Sequence, residues 1–437
     1  MNSDTCLLSV GELIEVRPLS RFQVRVVALC GLIMLLDGFE VSIGFLVPAI
    51  SGDLGIPLPR FGPVFAASLF GLMIAAMVSG PIADRWGRKW VIVICTLTFA
   101  SFSIMTARAT SLEELVLWRF LTGLGLGGAM SNVIALVSEY VPKRMQLAFV
   151  GALLCGMPLG GLLGSLASLV IIPLWGWRSV LYLGGFLPLI VALISIKLLP
   201  ESLRFLALQR ARAGVIDGIV ERIAPELRGA PVTLTASSDD QPKRLPIKHL
   251  FTEGRAPGTV LLWIPFFMNL LIIYFILNWL PGLLWHAGMP ASAGATAVSF
   301  FGIGGIIGSL VQGRLMASGR AGWVLPIEFA ASAVLIALLA FAVDSFAMTL
   351  VLTLILSICV TGAQAGLNGL AAGFYPTSIR ATGLGWASGI GRIGSIIGPM
   401  LGGILLSMQW TPRQIFLVAT LPALVAATSA ILGKNAE

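Results

Sequence analysis

Residues 80–89 read GPIADRWGRK: three basic side chains (Arg85, Arg88, Lys89), one acid (Asp84) and two glycines within ten positions. Apolar runs flank this knot, near 61–83 before it and 90–109 after it. Each is about as long as the roughly 20 residues a helix needs to cross a bilayer. A charged stretch this short between two such runs reads as a turn at the membrane surface joining two spanning helices. Gly80 lets the helices approach, Asp84 can pair with a cation or a helix N-terminus, and the basic residues hold the turn at an anionic leaflet.

Working outward, further apolar runs fall near 22–49, 113–137, 146–171 and 180–199, and then near 257–283, 291–313, 322–342, 346–370, 382–407 and 414–432. The chain is 57% apolar and only 11% charged, against roughly 25% charge in soluble domains. With a mean hydropathy of +0.95, it reads as an all-α membrane protein of twelve spans in two pseudo-symmetric six-helix bundles. The expected domains are a cytoplasmic tail (1–21), an N-terminal bundle (22–199), a polar cytoplasmic connector (200–256), a C-terminal bundle (257–432) and a short tail (433–437). The N-terminus lacks a basic stretch followed by a small-residue cleavage site, so it reads as a tail and not a signal peptide.

Lys and Arg set the orientation. One side would hold Arg17, Arg21, Arg25, Arg85, Arg88, Lys89, Lys143, Arg144, Arg314, Arg320, Arg380, Lys434 and most connector cations; the other only Arg60, Arg108, Arg178 and Arg413. The first side is expected to be cytoplasmic, with both termini inside. The net charge of +8 is clustered between spans, which suits a lipid surface and not nucleic acid. The five cysteines are scattered and imply no disulfide. His249 and His286 have no second ligand at metal spacing, so no metal and no cofactor is expected beyond a coupling proton.

The halves echo each other. EYVPKR (139–144) precedes a span with GMPLGG (156–161), and FYPTSIR (374–380) precedes a span with GPMLGG (398–403). GPIADRWGRK has a shorter counterpart in GRLMASGR (313–320), where Ala317 replaces the acid. Six-span repeats with matching loops are a transporter pattern, with substrate held between the halves near the midplane.

Charges inside spans are costly and mark function. LLDGFE (35–40) places Asp37 and Glu40 on one helix face. Counting from the outer ends at 1.5 Å per residue puts Glu40 about 14 Å deep, Arg119 about 9 Å and Asp37 about 18 Å. The three are expected to cluster as proton-coupling groups, Glu40 nearer Arg119 and Asp37 nearer substrate. Arg392 lies about 15 Å into its span. It either forks onto a substrate carboxylate or latches to an acid of the other half. Asn132, Tyr274, Asn278, Trp279, Gln364 and Asn368 are further substrate-contact candidates, although many intraspan polar groups serve only helix packing.

GPIADRWGRK resembles the hallmark loop of the major facilitator superfamily, G-x-L-A-D-r-x-G-r-k, with Ile82 for Leu. RFLTGLGLGG (119–128) is similar to that superfamily's span-four motif. The resemblance implies gating roles for Asp84, Arg85 and Arg88, and for Glu139, Arg144 and Arg380 on the matching loops. RPLSRFQ (17–23), LLDGFE, SEYVPKR (138–144), GWRSVLYLGG (176–185), PESLRFL (200–206), NWLPGLL (278–284) and YPTSIRATGLGWASGIGRIGSIIGP (375–399) together resemble the aromatic acid:proton symporters. That family's usual first-span motif is D-G-x-D; here Glu40 stands at the second acid. The resemblance implies proton-coupled import of a hydroxybenzoate- or protocatechuate-like carboxylate across a bacterial inner membrane, by a monomer. Alternatives are another organic anion, such as a muconate-like ring-cleavage acid, or export. A sugar porter would need no midplane Arg392, and an enzyme would need a nucleophile–base pair or metal cluster that the sequence lacks.

Overall fold

A computed structural model describes residues 6–15, 17–41, 43–209, 213–227, 232–235, 247–317, 321–342, 345–376 and 379–434. Among the described residues, eleven helices are long and apolar enough to cross a membrane: Leu58–Trp86, Arg88–Ala107, Leu112–Tyr140, Lys143–Trp175, Trp177–Leu198, Ala256–His286, Ala291–Met316, Gly322–Ala342, Phe346–Phe374, Thr382–Ser407 and Pro412–Lys434. They are spans two to twelve. Span one is a bent pair, Arg21–Val41 and Ile43–Leu54, turned by 43°. The break comes two residues after Glu40 and was not foreseen from the sequence. Arg320 lies outside the described residues.

Local chemistry sets the ends. Ser111 caps span four by accepting from the Glu114 amide, and Thr411 with Gln414 forms a capping box at span twelve. In the 80–89 turn, Gly87 takes φ +92°, a conformation that L side chains rarely adopt. Its bare Cα also admits the Glu201 carboxylate, which would collide with any Cβ there.

Three apolar clusters organise the interior. One, containing Phe45, Phe65, Trp279 and Phe301, spans both halves at the end away from the 80–89 turn. The other two lie at the turn's end and stay within one half each: Tyr140 and Leu136 in the first, Phe329 and Tyr375 in the second. Away from the turn the halves also meet through the hydroxyls of Ser165 and Ser299 (2.8 Å) and the edge-on rings of Phe65 and Trp279 (5.5 Å). Among the described residues, no ion pair or side-chain hydrogen bond joins the halves at the turn's end. The molecule is sealed on one side and parted on the basic side.

The tail and connector are more structured than a plain linker. Strand β1 (Cys6–Ser9) pairs in parallel with β2 (Val232–Thr235), a small exception to the all-helical plan. Short helices Val10–Glu15, Leu203–Leu208 and Ala213–Ile223 accompany them. Leu13, Leu203, Val220 and Ile223 join the basic-end cluster of the first half. Arg17 donates to Glu226 at 2.5 Å, and this hydrogen bond holds the Glu226 carboxyl below the usual range.

Candidate substrate and proton site

Two acids three residues apart meet different surroundings. Glu40 is buried and fully engaged: Arg119 Nη1 donates to its Oε2 at 2.9 Å, and the Ser103 hydroxyl donates to Oε1 at 2.6 Å. Arg119 Nη2 also donates to the Glu40 backbone carbonyl at 2.9 Å and reaches the Ser68 hydroxyl at 3.4 Å. All three partners come from the first half, so this is a closed network inside one bundle. Gly184 makes room for the Glu40 carboxylate, which would meet a Cβ placed there.

Asp37 is 0% exposed, and neither carboxyl oxygen has a hydrogen-bond partner. The groups acting on it electrostatically are Arg392, across the molecule, and Glu40, one turn on. Arg392 is half-buried and weakly engaged: Nη1 reaches the Tyr274 hydroxyl at 3.4 Å and Nη2 the Met130 sulfur at 3.6 Å. Both contacts are long for a guanidinium, and neither acceptor carries charge. Met130 lies on span four and Tyr274 on span seven, so the Arg392 fork sits on the boundary between the halves. Among the described residues, a buried carboxyl without hydrogen-bond partners thus faces a cation without a counter-ion, and no direct ion pair joins them.

Spans one and five create this geometry by close approach. A Cβ at Gly160 would run into the Leu35 carbonyl, and one at Gly38 into the Met157 carbonyl. The glycine between the two acids therefore lets span five press against the acid-bearing face of span one.

Other candidates fall elsewhere. Trp279 is buried, donates its indole N–H to the Pro399 carbonyl at 2.7 Å and packs on Phe65; it staples the sealed end and is not available to a substrate. Asn278 bonds back to the Tyr274 carbonyl (2.8 Å), and its backbone lies against Gly44. Asn132 likewise bonds back to the Gly128 carbonyl at 2.8 Å. Both amides are spent on their own helices because helix carbonyls one turn back are the nearest acceptors. Gln364 accepts from Asn269 (3.0 Å), tying span ten to span seven, and Asn368 lies half-buried one turn along.

At the 80–89 turn, Arg88 pairs with Glu139 at 2.8 Å. Asp84 and Arg85 are exposed, so the partner expected for Asp84 is not engaged in this conformation. Arg144 is exposed as well, and Arg380 reaches the Tyr375 carbonyl at 3.4 Å. Sequence reading missed Glu201, which accepts from the Lys89 amide at 3.1 Å, while the Tyr140 hydroxyl donates to its carbonyl at 2.6 Å. It also missed Ser103 and Met130, whose contacts depend on which helices pack together. An apolar cleft lined by Leu262, Pro265, Leu325 and Phe374 opens at the basic end of the second half; its Lys434 ammonium lies over the Trp323 ring at 3.5 Å.

Residues 28–342 match the Major Facilitator Superfamily. The chain belongs to that family. It is a multi-pass membrane transporter and not an enzyme. It is 38% identical to the 4-hydroxybenzoate transporter PcaK of Pseudomonas aeruginosa over 435 residues, covering 98% of this chain and 96% of that one. It is 37% identical to the gallate transporter of Pseudomonas putida, covering 98% and 96% respectively. Among solved structures, a bacterial homolog of the human lysosomal transporter Spinster, inward-facing and unoccupied, superposes with a TM-score of 0.70 at 17% identity, covering 95% of this chain and 98% of that one. The last likeness supports the fold alone.

Proposed function

We propose that this chain imports an aromatic carboxylate, of the hydroxybenzoate or protocatechuate kind, together with protons across a bacterial inner membrane by alternating access. The basic end faces the cytoplasm, as the asymmetry of Lys and Arg favours, and both termini lie inside. The observation that carries the reading is the Arg392 fork, held only by Tyr274 and Met130, beside an Asp37 that has no partner. The names of the relatives add the substrate class: a planar ring bearing one carboxylate.

The coupling follows from competition. Arg392 can serve one carboxylate well, either Asp37 or the substrate. When substrate takes the fork bidentately, Asp37 loses the cation that acts on it, and a proton relieves the charge. When the proton leaves toward the cytoplasm, Asp37 draws Arg392 back and the substrate is released. The substrate ring would lie beside Tyr274 and the half-buried polar side chains of span ten, Gln364 and Asn368. Arg119 and Glu40 keep span one fixed to spans three and four, so that Asp37 is presented at a constant depth. One proton carried with one monocarboxylate moves no net charge and is driven by the pH gradient; each further proton carried would gain about 2.3 kcal/mol per 100 mV. No metal or organic cofactor enters this cycle.

The test is uptake into proteoliposomes of a panel (4-hydroxybenzoate, protocatechuate, gallate, benzoate, muconate, glucose) with pH gradient and membrane potential imposed separately. Concentrative uptake of at least one aromatic acid under an inward proton gradient is expected. Uptake of glucose alone, or of aromatic acids only down their own gradients, would contradict the reading.

A further inference from the structure

A third intramembrane acid stands apart from Asp37 and Glu40. Glu328 lies six residues into span nine, roughly 9 Å from its basic end. Its recorded side-chain contact is with one amide: Gln312 Nε2, on span eight, donates to its Oε2 at 3.2 Å. Among the described residues it forms no ion pair. Gln312 is 2% exposed, and its Oε1 has no hydrogen-bond partner. Both side chains fill one notch in span ten: the point where a Cβ on Gly362 would sit is 3.1 Å from Gln312 Oε1 and 3.4 Å from Glu328 Oε1. Gly366, one turn along, is bare against the Gln312 amide.

A charged carboxylate half-buried between three spans, with one neutral donor, is penalised by desolvation. The same environment also leaves a buried amide oxygen in want of a donor. One proton on Glu328 answers both: it removes the charge and supplies an O–H for which Gln312 Oε1 is the unsatisfied acceptor. Among the described residues, the charged and titratable groups around the notch do not supply an alternative. Cys359 on span ten is the titratable side chain that interacts with Glu328, and it brings no positive charge. Arg314 on span eight is exposed, and Lys434 of span twelve is committed to the Trp323 ring.

We propose that Glu328 is a second proton-binding site, held as the neutral acid against Gln312 within the C-terminal half and independent of Asp37. It ties spans eight, nine and ten together near the basic end of span eight, where the sequence has Ala317 at the position that matches Asp84 of the first half. The proposal does not depend on which anion is carried.

Infrared spectra of the full-length protein in lipid vesicles at pH 7 test it. Subtracting Glu328→Gln from the parent should leave a protonated-carboxyl C=O stretch, and the same band should persist when Asp37 is Asn in both samples. Gln312→Leu should move that band to higher frequency, because its hydrogen bond is lost. If Glu328→Gln does not fold, Glu328→Asp should shift the band in its place. Carboxylate stretches in the parent-minus-variant spectrum in place of that band would overturn the proposal. Disappearance of the band with Asp37→Asn would overturn the independence of the two sites, and an unmoved band in Gln312→Leu would overturn Gln312 as the partner.

Discussion

In the proposed cycle Glu40 serves structure and Asp37 serves coupling, a division made at the level of single residues. Replacing Glu40 by Gln leaves Arg119 buried without its counter-ion, a change that costs about 3–5 kcal/mol where measured in protein interiors. Thermal unfolding of the purified protein in detergent should therefore fall by several degrees in Glu40→Gln. Asp37→Asn should leave the melting temperature unchanged or raise it, since Asp37 has no partner to lose. Arg392→Lys keeps the charge but not the fork, and should raise the half-saturating concentration of 4-hydroxybenzoate about tenfold or more. An unchanged value would assign Arg392 to a latch. The pairing of Glu40 with Arg119 was readable from depth along the helices, because 1.5 Å per residue fixes the level of a side chain in a span. The fates of Trp279, Asn278 and Asn132 were not readable. Whether an amide faces a cavity or bonds back to its own helix depends on rotation about the helix axis, and a span that is apolar all round gives little sign of that rotation.

The spans and their contacts obey the same division. Length and hydropathy placed all twelve spans to within a few residues, since a bilayer imposes one dominant requirement on each. The 43° break in span one was hidden, because both of its parts are apolar and no proline stands between them. It places the two acids at the end of a helix segment, beside the close approach of span five. Gly160→Ala would drive a methyl group into the Leu35 carbonyl. Overpacking of this kind costs about 1–3 kcal/mol, so the variant should show reduced yield of folded protein by size-exclusion analysis, while Gly151→Ala, with open space around it, should not. The basic end of the first half is held by Arg88 with Glu139 and by Glu201 on the Lys89 amide. Glu201 was not singled out because its motif alone is common; its importance comes from folding back under Gly87.

The whole molecule is caught sealed at one end and parted at the other, with the Asp37–Arg392 gap at the level between. Each half is internally stapled, and the halves meet through Ser165 with Ser299, Phe65 with Trp279, Arg392 with Met130 and close backbone approaches such as Gly44 on Asn278 and Gly302 on Pro158. Such an arrangement favours rocking of two bundles around a central charge pair, as the internal repeat in the sequence led one to expect. Leu13 of the tail and Leu203, Val220 and Ile223 of the connector pack under the first half, whereas Leu250 and Phe251 at the connector's end pack against span seven of the second. In the proposed cycle Asp37 and the substrate carboxylate take turns on Arg392, with a proton on Asp37 when the substrate holds the fork. The most direct measurement compares parent and Asp37→Asn vesicles in two modes with labelled 4-hydroxybenzoate: exchange at equal pH, and accumulation under an inward proton gradient. Asp37→Asn should retain exchange and lose accumulation; accumulation equal to that of the parent would contradict the account.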